Sequence, residues 1–222
     1  WFRLINRFKF IISINLNWEM WNKITTSAFL SVKNYWPFWI ALSIYFLIPA
    51  LRGTVDPPKK FYWIDTQLPF LYWMIIPYYS YYFILFALGH ATQDKRKIKM
   101  INILLMSLCF FSYLVYLVWP VHNKVIHSHL TENSLQFLYD IVIMNYIDIN
   151  AFPSLHVAIS SLICFVIGKE KENIRMVYWA WGFLIALSTF LAKQHYFYDT
   201  VFGIILAVIC FRIYSAIFKS WI

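Results

Sequence analysis

Long apolar runs separated by short polar turns constrain this chain more than any other feature. Six such runs can be marked, at Tyr35–Leu51, Leu68–Leu88, Ile101–Trp119, Ser154–Gly168, Met176–Ala192 and Phe197–Phe218. Of the 222 residues, 61% are hydrophobic and only 13% charged, against roughly 45–50% and 25% in a soluble domain. The medium for most of this chain is therefore a bilayer. Backbone groups in hydrocarbon must be satisfied within their own segment, which a helix does, and a crossing takes about 20 residues. The predicted fold is all-α: a polytopic membrane bundle of about six transmembrane helices over residues 35–222, preceded by an N-terminal interfacial segment over 1–34.

Trp1–Lys33 mixes Trp and Phe with Arg and Lys, the composition of a helix lying in the membrane interface. Pro69 and Pro77 are expected to kink the second run. Val121–Phe152 is the longest connection, and within it Leu135, Leu138, Tyr139, Val142, Ile143 and Tyr146 recur at helical spacing. That spacing predicts an outward-facing surface helix before span four, apolar face down.

Lys and Arg divide unequally between the two ends of such a bundle. The N-terminus, Lys95–Lys99, Lys169–Arg175 and the C-terminal end carry 14 on one side, whereas Arg52, Lys59, Lys60, Lys124 and Lys193 make five on the other. The basic-rich side is expected to be cytoplasmic, with both termini. Although the formal charge is +9, no nucleic-acid partner is expected, because the basic residues sit at the edges of apolar runs, beside anionic lipid. Richness in Ile, Lys, Asn, Phe and Tyr points to an AT-rich, bacterial genome, hence to an inner membrane. Cys109, Cys164 and Cys210 each lie inside an apolar run and read as small buried hydrophobes.

Against this background the polar residues near span ends stand out, since ionisable groups at membrane depth are costly and mostly functional. His195 and Asp199 are four apart and share a helical face. A carboxylate on one imidazole nitrogen fixes the tautomer and leaves the other to attack; the plain alternative is a His–Asp pair tying a helix end. His156 follows Pro153 and Ser154 in the first turn of a predicted helix. Backbone amides there, with the Ser154 hydroxyl, suit an anion, and a histidine beside a phosphate can protonate a leaving oxygen. Lys193 reads either as a phosphate clamp or as an interfacial lysine. The charge count puts all of these on one, non-cytoplasmic edge.

Pro153-Ser154-Leu155-His156, with Ser188-Thr189, His195, Asp199 and Gly203 further on, resembles the paired motifs of the type 2 phosphatidic acid phosphatase superfamily. The Leu155 variant and the Lys193–Asp199 segment are similar to the inositol phosphorylceramide synthase-like branch. The resemblance implies a membrane enzyme acting on a lipid-linked phosphate or pyrophosphate. It assigns His195 as nucleophile, Asp199 as its orienter, His156 as acid and base, and Ser154 as a phosphate ligand. It implies no metal and no cofactor. Water as acceptor makes the enzyme a phosphatase, and an alcohol makes it a phosphotransferase. Three cations of the family pattern are replaced, by Ser112, Trp119 and Thr189. Lys193 is the expected substitute for one, with Lys124, His122, Lys59 and Lys60 as candidates for the rest. Two other classes stay open: a metal- or haem-binding membrane protein using His122, His127 and His129, and a transporter.

Overall fold

The computed structural model describes residues 18–51, 53, 55–122, 134–143 and 152–219. Among them the regular structure is helical, apart from one isolated parallel bridge between Val55 and Val121. The helices are α1 (Trp18–Asn34), α2 (Trp36–Ser43), α3 (Lys59–Gln67), α4 (Ile75–Tyr79), α5 (Tyr81–Ala87), α6 (Lys95–Val118), α7 (Gln136–Ile143), α8 (Leu155–Glu170), α9 (Arg175–Leu191) and α10 (Phe197–Ile217).

Helix α8 is the axis of the bundle. It is mostly apolar, as a helix without a broad solvent face must be, and most of the side chains along it are buried. Helices α9 and α10 pack along it, with α5 and α6 adding to the wall. Cys109, Cys164 and Cys210 are all buried in this core.

Two sets of contacts fix the helix directions. At one end Lys97, from the start of α6, meets Glu170 at the close of α8 (2.6 Å), and Tyr214, near the end of α10, donates to the same carboxylate (2.8 Å). At the other end the Tyr116 hydroxyl, late in α6, donates to the Pro153 carbonyl (2.7 Å). There too the Ser154 amide donates to the Asp199 carbonyl (3.1 Å). So α8 and α10 run parallel, and α6 and α9 run against them. The starts of α8 and α10 therefore share one end.

Three helical stretches are long and apolar enough to cross a membrane: Lys95–Val118, Glu172–Leu191 and Phe197–Ile217. The fourth predicted run forms α8, which at 16 residues spans only about 24 Å. The first run is helical in pieces, α2 followed by two 3-10 turns. The second is more broken than one kink: a 3-10 turn, α4, a break at Ser80, α5 and a final 3-10 turn. Pro77 cannot donate an amide inside it, and Ser80 closes its hydroxyl onto the Pro77 carbonyl (2.6 Å).

Around this bundle lie the shorter elements. Helix α1 packs against α5 and the turn after it. Ser27 and Ser31, one helical turn apart, donate to the carbonyls of Phe86 and Leu85 (2.9 and 2.7 Å). Trp21, Ile24, Phe29 and Val32 are exposed. Helix α7 buries Tyr139 among Met74, Ile75, Tyr78 and Ala192, while Phe137 and Ile141 are exposed. Tyr146, on the same predicted apolar face, lies outside the described residues, as do residues 1–17. Helix α3 lies across the end where α8 and α10 begin, with the Phe61 ring against those of Trp119, Phe152, Tyr196 and Tyr198.

Candidate active site

The site forms where the first turns of α8 and α10 meet. Ser154 caps α8, its hydroxyl accepting from the Val157 amide (3.4 Å). Close approach of the two helices depends on Gly203: a Cβ there would lie 2.7 Å from the Ser154 carbonyl oxygen and 3.1 Å from Val157 Cβ. His156 is thereby carried on the second residue of α8, facing the start of α10.

His195 sits in the five-residue turn between α9 and α10. The Thr189 carbonyl accepts from the amides of Gln194 (2.8 Å) and His195 (3.1 Å), so the chain folds back on the end of α9. Lys193 takes a left-handed backbone conformation (φ 58°) to make that turn. Asp199 Oδ2 accepts from the Tyr196 amide (2.8 Å), capping α10, and faces His195 Nδ1 at 3.4 Å. Asp199 is fully buried and His195 nearly so. This arrangement turns Nδ1 toward the carboxylate and leaves Nε2 as the nitrogen away from it.

The two imidazoles, 39 residues apart in sequence, have ring centroids 5.7 Å apart with a 57° angle between planes. A nucleophile about 3–3.5 Å from phosphorus and an acid about 2.8 Å from the leaving oxygen together need more than the 5.7 Å between these rings, so the two imidazoles would part to take a phosphorus atom between them. Of the expected site residues, His156, His195, Asp199 and Ser154 come together here.

Lys193 is placed differently from a simple surface clamp. It is buried, and its ammonium donates to the carbonyls of Asp65 (2.7 Å) and Leu68 (2.9 Å) at the end of α3. Burial holds it below the usual lysine range, with the Asp65 carboxylate opposing that shift. Lys59 is exposed on α3, and Lys124 lies outside the described residues. At the positions of the missing family cations, Ser112 is buried, Trp119 packs on Phe61 and Phe152, and Thr189 shares a hydrogen bond with Thr200 (2.8 Å).

Three residues at the site were not visible in the sequence. Tyr78 stacks on His156 (5.2 Å between centroids) with its hydroxyl 3.4 Å from Nε2, and Tyr81 packs on the same ring at 4.6 Å. They lie three apart in sequence, on either side of the break at Ser80, but sixteen tyrosines in the chain drown that signal. Asp65, 132 residues from its partner, accepts from the Phe197 amide through Oδ1 (2.9 Å). Among the described residues no group of three or more His, Cys, Asp or Glu could hold a metal ion, and His127 and His129 lie outside them.

An all-helical chain with membrane-length apolar helices is a helical membrane protein, and this one carries a carboxylate-backed histidine pair at one end of its bundle. Residues 59–213 match the sequence model of the PAP2 superfamily. The chain belongs to that superfamily, whose members are in general phosphatases and phosphotransferases. No curated protein and no solved structure matches it.

Proposed function

We propose that this protein is a lipid phosphatase of six spans, with the histidine pair at the non-cytoplasmic face of a bacterial inner membrane and both termini inside. The observation that carries this reading is the 5.7 Å approach of His156 and His195 with Asp199 behind the latter. The substrate class is a lipid-linked phosphate or pyrophosphate, reached from the bilayer. The basic residues Lys97, Lys169 and Arg175 fall at the opposite end of the bundle from the site, which supports the orientation.

In the proposed reaction His195 Nε2 attacks phosphorus and a P–N bond forms as the P–O bond to the lipid breaks. His156 delivers its proton to the departing oxygen. The same imidazole then takes a proton from water, whose oxygen attacks the phosphohistidine; the P–N bond breaks and inorganic phosphate leaves. Asp199 holds the His195 tautomer and balances the charge it acquires. Ser154 and the first amides of α8 hold phosphate oxygens. Lys193 contributes positive charge from a distance, since its ammonium is engaged by α3 carbonyls. No metal or cofactor has a step in this scheme.

An alcohol in place of water makes the protein a phosphotransferase of the inositol phosphorylceramide synthase-like kind. The replaced clamp cations at Ser112, Trp119 and Thr189 favour that second reading. Purified protein given lipid phosphates and lipid pyrophosphates, with and without alcohols, tests both. Phosphate release that His156→Ala and His195→Ala abolish is expected. Full turnover in either variant removes the mechanism, and a product that appears only with the alcohol establishes transfer.

A further inference from the structure

Helix α3 grips the turn that carries His195 from both sides. Before the histidine, Lys193 reaches out to the carbonyls of Asp65 and Leu68. After it, the Phe197 amide, the first of α10, donates to Asp65 Oδ1. A further tie binds the same segment to the end of α9, the Leu71 amide donating to the Leu191 carbonyl (3.0 Å). One residue of α3, Asp65, thus takes part on both flanks, through its backbone carbonyl and its side chain. It is 1% exposed, and its Oδ2 has no hydrogen-bond partner among the described residues. A neutral Ser or Asn would cap a helix at less desolvation cost than a buried carboxylate.

We infer that Asp65 is a positioning residue for His195, setting the nucleophile's ring by bracketing residues 193 and 197 from α3. The inference rests on the proposed reaction, in which His195 attacks phosphorus. Only five residues join α9 to α10, so the turn has no slack of its own, and its geometry follows whatever holds its two ends. Asp199 caps the same helix from inside through the Tyr196 amide. The two carboxylates therefore fix adjacent amides, and losing the outer one lets the His195–Asp199 pair drift relative to His156.

The test compares Asp65→Ala with Asp65→Asn, which keeps an oxygen able to accept from Phe197. A nucleophile misplaced by about 1 Å costs on the order of a hundredfold. Asp65→Ala is therefore expected to lower kcat roughly 10–100-fold with KM within about twofold, the signature of a loss confined to the transition state. Asp65→Asn recovers most of that loss. Wild-type kcat in Asp65→Ala, or a rise in KM alone, overturns the inference. If Asp65→Ala does not accumulate as folded protein, Phe197→Pro serves instead, because proline suits the first helical position and removes the amide that donates to Asp65 Oδ1. The same loss in kcat is expected, and unchanged kcat overturns the inference. A wild type inert toward every phosphate substrate refutes the proposed function alone. Side-chain 15N resonances then decide the role of Asp65: the His195 signals must move in Asp65→Ala and stay in Asp65→Asn, and unmoved signals in Asp65→Ala overturn it.

Discussion

Replacing Gly203 by alanine tests how the two helices of the proposed site are held together. Gly203 lies inside α10 with ordinary helical backbone, so its value is space and not conformational freedom. An added Cβ would lie 2.7 Å from the Ser154 carbonyl oxygen, 3.1 Å from Val157 Cβ and 3.3 Å from the Ala158 nitrogen. Non-bonded carbon contacts prefer about 3.5 Å or more, so α8 must retreat by roughly 0.8 Å at its first turn. Two of the atoms met belong to backbone, and the third is a β-branched carbon, so no flexible side chain absorbs the strain. Overpacking of this kind costs about 1–3 kcal/mol, and the gain from alanine in a helix interior returns up to about 1 kcal/mol. The net loss of stability is then modest, on the order of 5 °C in Tm. Activity suffers more. His156 rides on the displaced turn, and a shift approaching 1 Å between His156 and His195 predicts a fall in kcat of roughly 10–100-fold. Turnover and thermal unfolding are measured on purified Gly203→Ala in detergent. Gly53→Ala, where nothing lies within 4 Å of the added carbon, is the control. A Gly203→Ala protein with wild-type kcat would refute the claim that the α8–α10 contact sets the histidine pair.

Further outcomes follow from individual contacts. Tyr78→Phe removes the hydroxyl beside His156 Nε2; a net hydrogen bond of about 0.5–1.5 kcal/mol predicts a two- to twelvefold (roughly) loss of kcat, read from steady-state turnover. Burial pushes the Asp65 carboxyl up to about 6, with the Phe197 amide and Lys193 opposing and Asp199 adding to the rise. An unfolded Asp gives up its proton near 3.8, so the stability contributed by this group is full below about pH 4 and is lost as pH rises toward about 6. Asp65→Asn should abolish that slope, and unfolding curves of wild type and variant that stay parallel from pH 4 to 7 (roughly) would contradict it. At the far end of the bundle, Glu170→Gln weakens the contact with Lys97. A loss of about 1 kcal/mol predicts a Tm lower by roughly 2–4 °C with kcat unchanged.

The sequence made the site's inner members legible because each carries a local signature. His195 and Asp199 are one turn apart, and Ser154 with His156 opens a helix after a proline, so spacing alone puts each pair on a face. The Lys and Arg asymmetry led independently to one edge for both motifs, and the structure brings the two rings together. What stayed hidden depends on contacts across the fold. Asp65 meets Phe197 across 132 residues, and Tyr78 meets His156 across 78. Neither has any local pattern to announce it, and an apolar run rich in Tyr and Trp reads first as interface anchoring. Lys193 shows the same limit: its spacing from His195 was visible, but not that its side chain turns to α3. Apolar length also misjudged shape. Leu68–Leu88 reads as one span with a kink, whereas Pro77 and Ser80 divide it into short helical pieces.

In the proposed reaction one phosphorus atom passes between His156 and His195. Its most direct measurement uses His156→Ala and a phosphate ester whose leaving group needs no protonation, such as p-nitrophenyl phosphate. Without His156 to activate water, the phosphorylated protein should accumulate, with an acid-labile, base-stable phosphate mapped by mass spectrometry to His195. The double variant His156→Ala/His195→Ala should carry none. Phosphate found on another residue, or labelling that survives the loss of His195, would contradict the account.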